Sequence, residues 1–171
     1  MSEPTASGLA PKITRLLETA LYLDDVGQGV RFYQDLFGFP LLSGDTQRDT
    51  SFAALQLPGE VVLLFFKKGA NAHPVETGGG MIPPHGGEGR LHFAFAISTD
   101  SYESWKVTLA AQHITIESEV RWPPGGRSLY FRDPEGNLVE LATPGIWAFH
   151  AGRGRPKISR KDAKERKFDR R

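Results

Sequence analysis

The stretch "GRLHFAFAIS", residues 89–98, alternates as a half-buried strand does: Phe93, Phe95 and Ile97 fall on one face, and His92, Ala94, Ala96 and Ser98 on the other. A lone histidine on such a strand is ordinarily a hydrogen-bonded structural residue. The pattern, however, has a precedent earlier in the chain. In "LLETALYLDD", residues 16–25, Glu18, Ala20 and Tyr22 share one face and Leu17, Thr19, Leu21 and Leu23 the other. Superposing the two strands sets Glu18, Ala20, Tyr22 and Leu23 against His92, Ala94, Ala96 and Ile97.

The elements after each strand repeat as well. Asp25 is placed to cap a helix through "VGQGVRFYQDLFG" that Gly38 ends, and "FPLLS", "TSFAALQL" and "EVVLLFF" then read as short strands. Beyond a Gly/Pro-rich loop at 69–90, Asp100 is placed to cap a helix in "SYESWKVTLAAQ", with Trp105 and Leu109 facing inward. The strands "ITIESEV", "RSLYFRD" and "NLVELAT" complete the second set. "PGEVVLL" (58–64) matches "PEGNLVEL" (134–141) with one residue inserted, pairing Gly59 with Gly136 and Leu63 with Glu140. "DPEGN" itself reads as a tight turn. The expected fold is therefore α+β, two tandem βαβββ units at about 13–68 and 90–147 that form a cupped mixed sheet within one domain over 13–150.

Composition narrows the chemistry. With no cysteine among 171 residues, disulfides, thiolate metal sites and cysteine nucleophiles are excluded. Neither a signal-like segment nor an apolar run longer than "VVLLFF" is present, so a soluble, cytoplasmic protein with no membrane contact is expected. Residues 152–171 hold ten Lys/Arg and three Asp/Glu, leaving the body near −6 although the net charge is +1. Such a segment cannot repay its ordering entropy, and 151–171 is predicted to be a disordered basic tail, as 1–12 is predicted to be a flexible N-terminus. Nucleic-acid binding through the tail is disfavoured, since Phe168 alone among its charges does not make a stacking platform.

The strand faces turned from the helices carry the candidate site. They offer Glu18 then Ala20, His92 then Ala94 and Ala96, and in the last strand Leu138, Glu140 and Ala142. A face packed for stability would carry larger side chains; alanines beneath polar heads leave a cup. Carboxylates there are costly without a positive partner, and a divalent cation held by Glu18, His92 and Glu140 supplies one. Three protein ligands leave coordination positions open, as a catalytic site requires. Tyr22 and Ser98 lie on the cup face, and His85 in "MIPPHGGEGR" precedes His92, so these three are the catalytic candidates, with a solvated loop histidine the plain alternative for His85. Arg121, Arg127 and Ser128 are candidates for binding an anionic substrate; Arg132 reads equally as a turn-side ion pair. Trp147 and Phe149 are expected to cover a core edge or a subunit contact.

The duplicated unit, "ETALYLDDVGQGVRFYQDLFGF", "HFAFAI" and above all "GGRSLYFRDPEGNLVEL" resemble, over about residues 13–147, the vicinal oxygen chelate superfamily of glyoxalases, bleomycin resistance proteins and extradiol dioxygenases. The resemblance implies metal ligands at Glu18, His92 and Glu140, one divalent ion (manganese, iron(II), nickel, magnesium or zinc), and lyase, isomerase, thiol transferase or dioxygenase chemistry on a small substrate with adjacent oxygens. It also implies a homodimer, with sheet edges covered by a second copy. Two departures matter. Glu18 stands where a histidine is usual, which disfavours iron sites built on two histidines. Leu63 stands where glyoxalase I has a fourth ligand and base, which disfavours glyoxalase I itself. The alternative function is a non-catalytic drug or metabolite binder of the bleomycin-resistance type, against which the three ligand-type residues speak.

Overall fold

Strand alternation and helix caps produce the same βαβββ arrangement twice. The computed structural model describes residues 12–45 and 49–147; the expected N-terminal segment, apart from Lys12, the basic tail and Phe149 lie outside the described residues. The described chain divides into one unit ending at Gly86 and another beginning at Gly87.

The first unit runs β1 (Glu18–Leu23), α1 (Val26–Phe37), β2 (Leu41–Asp45), β3 (Asp49–Leu57) and β4 (Val61–Lys67). The α1 ends are those the sequence marks: the Asp25 carboxylate accepts the Gln28 N–H, and Gly38 closes the helix at φ 69°. The sheet order is β1-β4-β3-β2, with β1 parallel to β4 and the rest antiparallel. Leu21, Leu23, Leu63 and Phe65 point from it into a core closed by Val30, Tyr33 and Leu36 of α1. Within the expected loop a short hairpin also forms, β5 (Val75–Thr77) with β6 (Gly80–Ile82), turned by Gly78 and Gly79.

The second unit runs β7 (His92–Ala96), a 3-10 turn (Thr99–Ser101), α2 (Tyr102–Ala111), β8 (Ser118–Arg121), β9 (Arg127–Arg132) and β10 (Leu138–Ala142). Its sheet order, β7-β10-β9-β8, is the first unit's order repeated. The cap differs from the expected one: Ser98, not Asp100, accepts the Ser101 N–H, because a 3-10 turn precedes the helix. Leu109 is buried as expected, but Trp105 is only half-buried and Tyr102 takes the inward position at the helix start.

The strand registers correct the internal match by one residue. Glu18 pairs with Val62 and His92 with Leu138, so the counterpart of Glu140 is Leu64, which pairs with Ala20, and not Leu63. Leu63 belongs to the buried core. No insertion is needed, because Glu60, at φ 58°, occupies the position of Gly136, at φ 81°. Among the described residues, no helix is long and apolar enough to cross a membrane.

Candidate functional site

In the second unit the "DPEGN" turn fixes how β10 meets β7. Asp133 Oδ1 accepts the N–H groups of Glu135 and Asn137, while its Oδ2 accepts Asn137 Nδ2. Asn137 Oδ1 in turn accepts the Leu91 N–H at 3.0 Å, immediately before His92. Arg132 proves a turn-side residue, bonded to Glu117 and to the Gly136 carbonyl.

Held by that turn, His92 and Glu140 come together. His92 Nε2 lies 3.3 Å from Glu140 Oε2, and His92 Nδ1 lies 3.2 Å from the Leu138 carbonyl. The histidine side chain is half exposed; that of Glu140 is only 7% exposed. Glu140 Oε1 accepts the Ser128 hydroxyl at 2.5 Å, and Ser128 Oγ accepts the Trp122 indole N–H at 2.8 Å. Tyr130, paired with Glu140 across β9 and β10, also bonds the carboxylate; burial first, then that hydrogen bond, hold its phenol above the ordinary value. His92, Trp122, Tyr130 and Glu140, together with Ala94, Ile146 and Trp147, line a cleft of about 290 Å³. The exposed Trp147 is thus a cleft wall rather than a core cover. Gly126 is required at its edge, since a Cβ there would lie 2.6 Å from Ile146 N.

The first unit has its own cleft, about 540 Å³, lined by Glu18, Ala20, Phe52, Leu64, Phe66 and His85 among others. His85 Nδ1 lies 2.7 Å from the Tyr22 hydroxyl, and the His85 ring meets Phe66 edge-on at 4.7 Å. Phe66 stacks on Tyr22 and touches Phe52. Glu18 is exposed, so within its unit it escapes the burial cost expected from sequence; Glu140 alone of the two carboxylates is buried.

The other candidates lie elsewhere. The Ser98 hydroxyl caps the 3-10 turn. Arg127 turns toward α2, its guanidinium 3.6 Å above the Tyr102 ring and 2.9 Å from Glu103, and Arg121 pairs with it in the β8/β9 register. Ser128 is fully buried. Reading the sequence missed Trp122, Tyr130, Phe52 and Phe66; strand alternation was the available signal for Tyr130 and both phenylalanines.

A family model for the glyoxalase/bleomycin resistance protein/dioxygenase superfamily matches residues 15–141. The chain belongs to that superfamily. Among solved structures, a lactoylglutathione lyase from Agrobacterium tumefaciens is similar at 31% identity and TM-score 0.72, over 81% of this chain and all, 100%, of that one. A glyoxalase/bleomycin resistance protein/dioxygenase from Nocardioides is 25% identical with TM-score 0.59, over 79% of this chain and 86% of that one. A glyoxalase/dioxygenase from Nostoc punctiforme, 22% identical with TM-score 0.57 over 80% and 96%, shares the fold. No curated protein matches significantly.

For a member of the glyoxalase superfamily the question is whether these donors suit a divalent ion. With Nδ1–H given to the Leu138 carbonyl, a neutral His92 turns a bare Nε2 lone pair toward a carboxylate oxygen. Two acceptors so close need a cation between them, a proton or a metal. Two donors each about 2.1 Å from one ion and about 100° apart lie about 3.2 Å from one another, so the observed 3.3 Å suits a metal without rearrangement. Among the described residues no three His, Asp or Glu side chains converge, and Glu18 heads β1 in the other unit.

Proposed function

We propose that the chain is a divalent-metal-dependent enzyme of the glyoxalase/dioxygenase type acting on a small substrate with adjacent oxygens, with the ion held by Glu18, His92 and Glu140. The observation that supports this most is the approach of His92 Nε2 to within 3.3 Å of Glu140 Oε2 beside Ala94 in the second unit's cleft. One imidazole and two carboxylates form a hard donor set suited to manganese, iron(II), nickel, magnesium or zinc. A bound ion supplies Lewis-acid polarisation of the substrate's oxygens. Glu18 completes the set from its own chain or from a second copy in a homodimer.

Within the first unit, Phe52, Leu64 and Phe66 form an apolar wall for the carbon skeleton of the substrate. Leu64 leaves that unit without a carboxylate base opposite Ala20, so His85 is the group left to move a proton. The Tyr22 hydroxyl, hydrogen-bonded at Nδ1, orients the His85 ring and leaves Nε2 for the substrate. The similarity to the lactoylglutathione lyase from Agrobacterium tumefaciens supports a lyase reaction as the first to assay.

Elemental analysis of protein purified without chelator tests the reading. The wild type is expected to carry divalent metal that Glu18→Ala, His92→Ala and Glu140→Ala lose; equal content in all four, with fold retained, leaves the non-catalytic binder as the better account. Light scattering at micromolar concentration tests the dimer, which a monomer mass would refute.

A further inference from the structure

We propose that Ser128 and Trp122 are positioning residues: a one-way chain of hydrogen bonds, from the Trp122 indole through the Ser128 hydroxyl to Glu140 Oε1, fixes the Glu140 carboxylate with Oε2 turned toward His92. The direction follows from donor chemistry. An indole N–H only donates, so Ser128 Oγ must accept it, and the single Ser128 hydrogen is left for Glu140, 2.5 Å away. Ser128 is fully buried, so no solvent molecule replaces either partner. The buried arrangement therefore sets Glu140 Oε1 as the acceptor of the Ser128 hydroxyl, with its other oxygen left to face Nε2 of His92.

The chain also places its members. Trp122 ends the β8 side of the turn that leads into β9, held there by its N–H on the Gly126 carbonyl and by its own carbonyl accepting from Gly125. Ser128 lies one residue into β9, opposite Ala142 and diagonal to Glu140. Indole, hydroxyl and carboxylate thus span the β8-β9-β10 surface in one line. This assigns to buried Ser128 a role distinct from substrate contact. The use made of the fixed carboxylate rests on the metal reading above; the hydrogen-bond chain itself does not.

Two measurements on the full-length protein separate them. Free of added metal, the Trp122 indole proton followed by NMR is expected to exchange slowly with solvent in the wild type and in Ser128→Thr, which keeps the hydroxyl, and at least about tenfold faster in Ser128→Ala. Manganese(II) affinity, read by competition with a chelating dye, is expected to fall about 10- to 100-fold in Ser128→Ala. It should fall less in Trp122→Phe, whose serine hydroxyl can still rotate onto Glu140, and recover in Ser128→Thr. Thermal unfolding of each variant confirms that the fold persists. A wild type that binds no manganese or other divalent ion overturns the metal reading while the indole measurement still decides the chain. Ser128→Ala equal to wild type in indole exchange overturns the chain; altered exchange with unchanged manganese affinity overturns its positioning role.

Discussion

Row by row, the two sheets carry different chemistry on one scaffold. Across β1, β4 and β3 the rows on the face that carries the cleft are Glu18, Val62, Gln56; then Ala20, Leu64, Ala54; then Tyr22, Phe66, Phe52. Across β7, β10 and β9 they are His92, Leu138, Arg132; then Ala94, Glu140, Tyr130; then Ala96, Ala142, Ser128. Both first rows open with a ligand-type side chain. The second row then swaps leucine and alanine for a carboxylate and a phenol, and the third swaps three rings for two alanines and a serine. The backbone pairing is preserved while polarity is divided: one unit builds an apolar, aromatic wall, the other a hydrogen-bonded acid beside a histidine. A duplicated fold can thus carry two chemically different surfaces without a change of topology.

Erasing the second-row difference should have the largest effect. Glu140→Leu gives β10 the residue that β4 carries, and the affinity for manganese(II) is expected to fall at least about 100-fold. The Ser128 and Tyr130 hydroxyls lose an acceptor, at a cost of about 1 to 3 kcal/mol in urea unfolding. Unchanged metal affinity would mean that the rows differ for stability alone.

The third row is next. Phe66 stacks on Tyr22, touches Phe52 and meets His85, so Phe66→Ala removes the centre of the first unit's wall. The side chain is half-buried, so the expected loss is about 2 kcal/mol in urea unfolding, roughly 30-fold in the equilibrium constant, short of a fully buried phenylalanine. His85 should lose its fixed ring orientation, visible as averaged imidazole shifts by NMR. An unperturbed His85 would show that the hydroxyl of Tyr22 alone holds it.

How far these rows were legible depended on local signals. Alternation in residues 16–25 and 89–98 placed Glu18 and His92, and Asp25 and Gly38 marked both ends of α1, because each signal acts within a few residues. The slip from Leu64 to Leu63 came from matching glycine to glycine, when the non-glycine Glu60 takes the left-handed position that Gly136 holds. The hairpin of β5 and β6 gave no hydrophobic period to read, since every residue in it is exposed. For Ser128, alternation gives the face of the serine, while the bond from Trp122 depends on the path of the turn between β8 and β9.

The smallest effect separates the helix faces. The first unit seals α1 with apolar contact, the Tyr33 ring 5.3 Å from that of Phe65. The second meets α2 with charge. Glu119 on β8 faces Lys106 at 2.6 Å, the Tyr102 hydroxyl at 3.1 Å and Arg127 at 4.0 Å, and Glu103 of α2 shares both cations. The hydrogen bond from Lys106 leads in holding the Glu119 carboxyl below its ordinary value, ahead of Tyr102 and the charge of Arg127. Folding therefore favours the ionised form. Its contribution is complete above the ordinary carboxylate range, neutral pH included, and is lost as pH falls through the lowered value. Because the Glu119 side chain is 40% exposed, solvent screens the pairs and the contribution should stay below about 1 kcal/mol. Urea unfolding at pH 7 and pH 3 is expected to show a smaller acid loss in Glu119→Gln than in wild type. In hydrogen exchange the difference should concentrate on β8 and α2 and leave α1 unchanged; an equal change in α1 would show that the two helix faces do not respond separately to acid.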